Sequence, residues 1–149
     1  MGVNNRHFSQ DVESILWKIL NASSELKAMI SGGIYKEAFR PTNSNKEDIC
    51  INTISLTQEN PQIGVHNINS YTAALKQKLN GIDESVPNTP KLKALAEKVK
   101  QVLDLAVLQE EYKNYSFRIT GQRTLKNLDS TNPEYYQNLI VEFIIPQDN

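Results

Sequence analysis

Cys50 is the single cysteine of the chain, and His7 and His66 are its two histidines. A thiolate and an imidazole base can meet across neighbouring strands, so Cys50 beside His66 is the one nucleophile pair the sequence offers. The opposing reading is a small packed residue, because free cysteine is among the most buried side chains. Neither histidine stands at i, i+4 from another ligand and no Cys-x-x-Cys occurs, so no metal site is expected. A lone cysteine also leaves no internal disulfide. Asp48, Glu59, Asp83 and Glu84 supply carboxylates in separate segments, with nothing to set two of them around one reacting bond, and they read as solvated. Gly32-Gly33 and Gly81 form no phosphate cradle, and no Gly-Lys-Ser/Thr follows them, so no cofactor is expected.

The other chemistry to weigh is phosphate neutralisation. Arg118, Arg123 and Lys126 lie close to Tyr115 and Phe117, and basic side chains interleaved with aromatics can bind nucleic acid. Lys91, Lys93, Lys98 and Lys100 add a basic helix face. Against this, Tyr115 and Phe117 share a strand face with Ile119 and belong to a core, while Arg118 points the other way. Sixteen basic residues against seventeen acidic ones exert no overall pull toward nucleic acid or membrane. Direct nucleic-acid recognition by the C-terminal strand pair stays as an alternative, and a Cys50-dependent enzyme as a weaker one.

The elements that must carry these residues are legible in the spacing. The length of 149 residues predicts a single domain that buries roughly two thirds of its unfolded surface. Val12, Ile15, Leu16, Ile19 and Leu20 form one face of a helix, with Ser9 as the expected N-cap and Asp11 and Glu13 in its first turn. A second short helix or a bent continuation of the first is expected over Ser24 to Ile30, stopped by Gly32 or Gly33 in the left-handed conformation. Strands are expected over Ile34 to Phe39, Asp48 to Thr57 and Ile63 to Tyr71. In the second, Cys50, Ile54 and Leu56 should share one face. The second and third strands should pair antiparallel, because the connection is too short for a crossover. Ala73, Ala74, Leu75 and Leu79 read as a short helix closed by Asn80-Gly81, with an exposed loop over Asp83 to Asn88. Thr89 and Pro90 open a long core helix whose stripe runs through Leu92, Leu95, Ala96, Val99, Val102, Leu103, Ala106 and Val107. Two closing strands follow, around Phe117 and around Val141, with a long connection over Gly121 to Tyr136. The expected fold is an α+β single domain over 1–149. It has a mainly antiparallel sheet of about four to five strands packed by two long helices, in the order α-β-β-β-α-β-β.

Leu26, Ile30 and Gly32-Gly33-Ile34-Tyr35 form a Leu-x-x-x-Ile-x-Gly-Gly-Ile-Tyr run. With this run and the order of elements, the chain resembles the tail-completion or tail-terminator proteins of long-tailed bacteriophages and prophages. The resemblance implies a structural, non-enzymatic role. The subunit would form a homo-oligomeric ring, hexameric by the family's pattern, that caps the tail tube and joins it to the head connector. It would work first in the host cytoplasm and then in the virion. Its partners would be copies of itself and the tail-tube and head-connector proteins. No run approaches the length of a membrane span, Met1 to Gln10 lacks the pattern of a signal peptide, and a soluble cytoplasmic protein is expected.

Residues outside the apolar stripes are the interface candidates. Trp17 lies about 100° from Leu16 on the helical wheel. Leu105 and Leu108 fall off the second stripe and, with Tyr112, form a second apolar edge that reads either as a wider core contact or as a surface for a neighbouring subunit. Arg118, Arg123 and Lys126 complete the set. Arg40 to Glu47 and Gly121 to Glu134 read as polar connections that are mobile until a partner orders them.

Overall fold

Two apolar helical stripes, one near the start of the chain and one past its middle, cover a single face of a sheet. The computed structural model describes residues 7–146, so the first six residues read above for a leader lie outside it. Helix α1 (Ser9–Asn21) buries Val12, Leu16, Ile19 and Leu20. Phe8 occupies the N-cap, and the Asp11 carboxylate accepts its backbone N–H at 2.8 Å, so a first-turn acid does the work expected of Ser9. Helix α2 (Ser24–Ala28) is capped by Ser23, whose hydroxyl accepts from the Leu26 N–H at 3.1 Å.

The chain then enters β1 (Ile34–Lys36), a 3-10 turn (Glu37–Phe39), β2 (Ile49–Leu56) and β3 (Gln62–Ala73). A hairpin of β4 (Leu75–Leu79) and β5 (Ile82–Val86) leads into α3 (Thr89–Ala106), and β6 (Ser116–Lys126) and β7 (Glu134–Ile145) close the domain. The main sheet has the order β1-β2-β3-β7-β6, and β4-β5 forms a separate two-stranded sheet. This is an α+β domain with a mostly antiparallel five-stranded sheet and two longer helices. Only β1 and β2 run parallel, because the connection from Lys36 to Ile49 is long enough to carry the chain back. Leu95, Val99 and Leu103 of α3 join the α1 stripe over Ile49, Ile51, Ile68, Leu139, Val141 and Phe143. Burying each of these large side chains contributes about 1.5–3 kcal/mol.

Several expectations are corrected. Asn88, not Thr89, caps α3, its side chain accepting from the Lys91 N–H at 3.3 Å. Leu75 to Leu79 is a strand and not a helix. Asn80 and Gly81 both take positive φ, 54° and 79°, which makes them the central pair of a tight hairpin turn rather than a helix stop. Asp83 to Asn88 is likewise not a loop, because Ile82–Val86 pairs back on that strand. The expected connection over Gly121 to Tyr136 shrinks to 127–133, since β6 continues to Lys126 and β7 begins at Glu134. A register shift between Thr53 and Ser55 moves Leu56 off the face of Cys50, so Leu56 packs on the core while Ile54 is exposed.

Neither Gly32 nor Gly33 has a positive φ. Gly32 is required instead by close approach. A methyl group there would lie 1.8 Å from Asp48 Oδ1 and 2.6 Å from the Glu47 carbonyl oxygen, where the Gly32 N–H already bonds at 2.8 Å. At Gly33 the same group meets only the Tyr35 ring, at 2.8 Å. Gly32→Ala is therefore expected to cost more than about 2 kcal/mol in urea denaturation, and Gly33→Ala distinctly less because a side chain can rotate away. Equal losses at the two positions would contradict this account.

Candidate functional site and interaction surfaces

The register of β2 and β3 separates the two residues that could have formed a nucleophile pair. Cys50 stands opposite Asn69 and His66 opposite Thr53. Residues three apart on a strand point to opposite faces, so the thiol and the imidazole lie on different sides of the sheet. Cys50 is buried on the face away from the helices. Burial, with the acids Asp48, Glu37 and Glu134 and against the opposing pull of Arg40, pushes its thiol up to about 12, far from a reactive thiolate.

His66 sits under α1. Its Nδ1 lies 3.1 Å from the Thr53 hydroxyl, which in turn lies 3.1 Å from Glu13 Oε2. With Thr53 donating its one proton to the carboxylate, its oxygen accepts from the imidazole Nδ1–H. Nε2 then carries no proton and has no hydrogen-bond partner, and it faces Gly64, where an added methyl would come within 2.5 Å of it. Phe143 presents its ring to the imidazole at 6.1 Å between centroids. Burial lowers the pKa of His66 to about 4, so it is a neutral core residue at ordinary pH.

The densest polar constellation is one the sequence did not reveal. Arg40, expected in a mobile loop, sends Nη1 and Nη2 to the two oxygens of Glu134 at 3.1 and 3.0 Å, and Nε to Asp48 Oδ2 at 3.1 Å. Asp48, expected in solvent, is 1% exposed, and Glu134 3%. Ser44 donates to Asp48 Oδ2 at 2.5 Å, the Gly33 N–H to Oδ1 at 3.0 Å, and Asn127 to Glu134 Oε1 at 2.7 Å. The guanidinium lies 3.8 Å from the centre of the Tyr71 ring, which packs on Tyr136 at 4.9 Å. Burial works against the charge of Arg40, but the hydrogen bonds to Glu134 and Asp48 outweigh it and hold its pKa above the ordinary value. Every oxygen of the two acids has a donor from the chain, so the cluster reads as a structural clasp. Among the described residues no group of three or more His, Cys, Asp or Glu is placed to hold a metal.

The basic residues are dispersed. Arg118 bonds Glu142 Oε2 through Nε at 3.1 Å and Nη2 at 2.5 Å. A bulge between Ile119 and Gly121 shifts the register, so Arg118 and Arg123 share the face away from the helices while Lys126, opposite Tyr135, takes the other. On α3 and its neighbours, Lys91 pairs with Glu47, Lys93 with Glu97, Lys98 with Glu25 and Lys100 with Asp104. No continuous basic track joins these groups.

Trp17 is half-buried, and its indole N–H donates to the Ile34 carbonyl at 2.8 Å, capping the outer edge of β1. Leu105 and Leu108 are 54% and 78% exposed, whereas Tyr112 packs against the core rim. The hairpin carries Leu75, Leu79 and Ile82, all exposed. Between α3 and β6 runs a groove of about 500 Å³ floored by Leu92, Ala96, Ile119 and Leu139. No helix among the described residues is long and apolar enough to cross a membrane. No protein-family model matches the chain, and no curated protein matches it.

Two measurements test these assignments. Arg40→Met leaves two buried carboxylates without their cation and is expected to cost about 3–5 kcal/mol. Adding Asp48→Asn and Glu134→Gln should recover part of that loss, and a neutral Arg40→Met would refute the clasp. For His66 the unfolded pKa is near the ordinary imidazole value of 6.5 and the folded one about 4. Above pH 6.5 neither state binds the proton and the group adds no slope. As pH falls from 6.5 to 4 the unfolded state alone gains it, and stability drops by about 3 kcal/mol in total. Stability measured across this window should fall less steeply in His66→Gln than in the native chain.

Proposed function

We propose that this chain is the subunit of a homo-oligomeric ring, a tail-terminator-like assembly protein that acts by contact and geometry. In this reading it caps a phage tail tube and joins it to the head connector, and the ring is hexameric by resemblance. The observation that carries the reading is two clusters of uncovered apolar side chains, set apart from the scattered exposure of Phe8, Phe39, Ile54 and Leu128. One is the β4-β5 hairpin, which enters α3 within three residues of Val86; the other is Leu105 and Leu108 at the far end of that helix. An 18-residue helix holds them about 27 Å apart. A subunit with two different apolar patches makes head-to-tail contacts, and such contacts close into rings when the rotation permits. The order of elements, with an opening helix, central strands, a long second helix and a closing strand pair, also agrees with the resemblance.

A concentration series of the full chain by sedimentation or mass photometry tests this. A discrete ring mass is expected, alone or with a tail-tube protein added. Replacing Leu105 and Leu108 together by Ser should weaken self-association by about tenfold or more while shifting the unfolding midpoint little, because both side chains are exposed. If the double variant simply unfolds, the leucines are core. A native chain that stays monomeric throughout, with and without the tube protein, would overturn the ring.

A further inference from the structure

Asn80-Gly81 is the one Asn-Gly step in the chain, and it forms the two-residue tip of the β4-β5 hairpin. Both residues are exposed and both take positive φ, 54° and 79°. Leu79 and Ile82 close the turn as opposite partners, and a two-residue hairpin loop of this kind requires such a left-handed pair. Among the described residues no group bonds the Asn80 side chain or the Gly81 N–H. A methyl group at Gly81 would meet nothing within 4 Å, so water has open access to the tip.

The hairpin is held only at its base. There the Tyr135 hydroxyl donates to the Ser85 carbonyl at 3.3 Å and the Ala74 N–H to the Pro133 carbonyl at 3.0 Å. All of β4 and the first three residues of β5 are exposed, and the two strands have at most slight contact with any other helix or strand. A two-stranded sheet with no third strand is marginal in water. Its tip therefore opens far more often than the domain unfolds.

We propose that Asn80 is a self-modification site, at which the chain converts its own asparagine to aspartyl and isoaspartyl products with water as the only co-reactant. The Gly81 nitrogen attacks Asn80 Cγ, and no side chain on Gly81 hinders it. An N–Cγ bond forms as the Cγ–Nδ2 bond breaks, and the amide leaves as ammonia, taking up the proton that the Gly81 nitrogen loses. Water then opens the five-membered imide. Hydrolysis of the N–Cγ bond gives Asp, whereas hydrolysis of the bond from that nitrogen to the Asn80 main-chain carbonyl gives the isoaspartyl form, with the main chain routed through Cβ and Cγ.

The closed turn holds this reaction back. A left-handed residue has ψ of about +47°, which sets Cβ on the far side of the Cα–C bond from the next nitrogen, so the ring closes only when the turn opens and ψ rotates. Isoaspartate then makes the opening lasting. Its extra main-chain carbon breaks the two-residue loop length that fixes Leu79 on Ile82. This chemistry is independent of the ring reading.

Peptide mapping of the full chain after incubation at mildly alkaline pH and physiological temperature tests it. The Asp and isoaspartyl peptides separate by chromatography, and both carry the mass gain of an amide replaced by an acid. Conversion is expected at Asn80 well ahead of Asn43, which is also exposed and left-handed but precedes Ser44. Lys78→Cys with Asp83→Cys staples the strands beside the turn, because the two positions are opposite and exposed, and Cys50 is buried. The oxidised form should convert about tenfold or more slowly than the same variant reduced. Asn80→Gly keeps a left-handed pair and cannot form the imide, so its hairpin amides should retain the exchange protection that the native chain loses during incubation. An Asn80 that stays an amide in the folded chain while the urea-unfolded chain converts would overturn the site. Equal rates in the oxidised and reduced staple would sink the gating by the turn, and native protection in chains that carry isoaspartate would refute the lasting opening.

Discussion

Arg40 holds together three parts of the chain: the loop after β1, the entry to β2 at Asp48, and the first residue of β7, Glu134. A cation between two buried carboxylates satisfies charge that would otherwise have to neutralise or leave the interior. The remaining oxygens take donors from the Gly33 backbone, Ser44 and Asn127, so no desolvated lone pair is left to work against the fold. The arrangement also explains why the sheet can have helices on one side only. The segment from Glu37 to Asp48 crosses the other side, with the Arg40 guanidinium over the Tyr71 ring, where Cys50 and Asn69 are buried. The parallel pairing of β1 with β2 follows from the same clasp. Asp48 grips the Gly33 N–H through its side chain and receives the Tyr71 N–H on its carbonyl, which sets β1, β2 and β3 in one register.

The polar centre of that face obeys the same rule of satisfaction. Asn138 donates to Asn67 at 2.9 Å and to Asn69 at 2.8 Å, tying β3 to β7 through side chains. Asparagines depress strand propensity when considered singly, because their amides compete with the backbone. Placed opposite one another across a ladder, they bond to each other instead. On the helix side, the line from Glu13 through Thr53 to His66 does a comparable task between α1, β2 and β3.

What the sequence made legible was periodic. The stripes of α1 and α3, the alternation of β7 and the antiparallel pairing of β2 with β3 each depend on spacing within one segment, and each is present. What it hid was either a shift of one residue or a meeting of distant residues. The bulges near Ile54 and Thr120 reverse the faces of everything after them, which moved Leu56 into the core and parted Lys126 from Arg118. Asn80-Gly81 fits a helix end as well as a hairpin turn, and only the Leu-Lys-Gln-Lys-Leu alternation before it favoured the strand. Arg40 and Glu134 are separated by 94 residues, and no local pattern announces an ion pair of that span. Of the interface candidates, Leu105 and Leu108 are exposed rather than part of a wider core contact, whereas Trp17 is engaged in closing the edge of β1.

The residues that hold this fold and most of those it leaves uncovered lie in different parts of the domain. The Arg40 clasp, the asparagine tie and the two helical stripes lie at the β1-β2-β3-β7 centre of the sheet. Most of the uncovered apolar groups lie outside it, on the hairpin and at the end of α3, while Ile54 at the bulge of β2 and Phe39 beside Arg40 are exposed within reach of it. One-sided helix packing produces this division. α1 covers the β1-β2 half of the sheet and α3 the middle, so β6 at the far edge has no helix of its own. Edge strands left open in this way invite pairing with other chains, and natural sequences blunt them with charge and bulges. β6 carries both devices, in Arg118, Arg123 and Lys126 and in the bulge at Thr120, so indiscriminate strand addition is discouraged while the groove behind the strand stays open. For a subunit that works by contact, such a surface favours a shaped partner over a generic one.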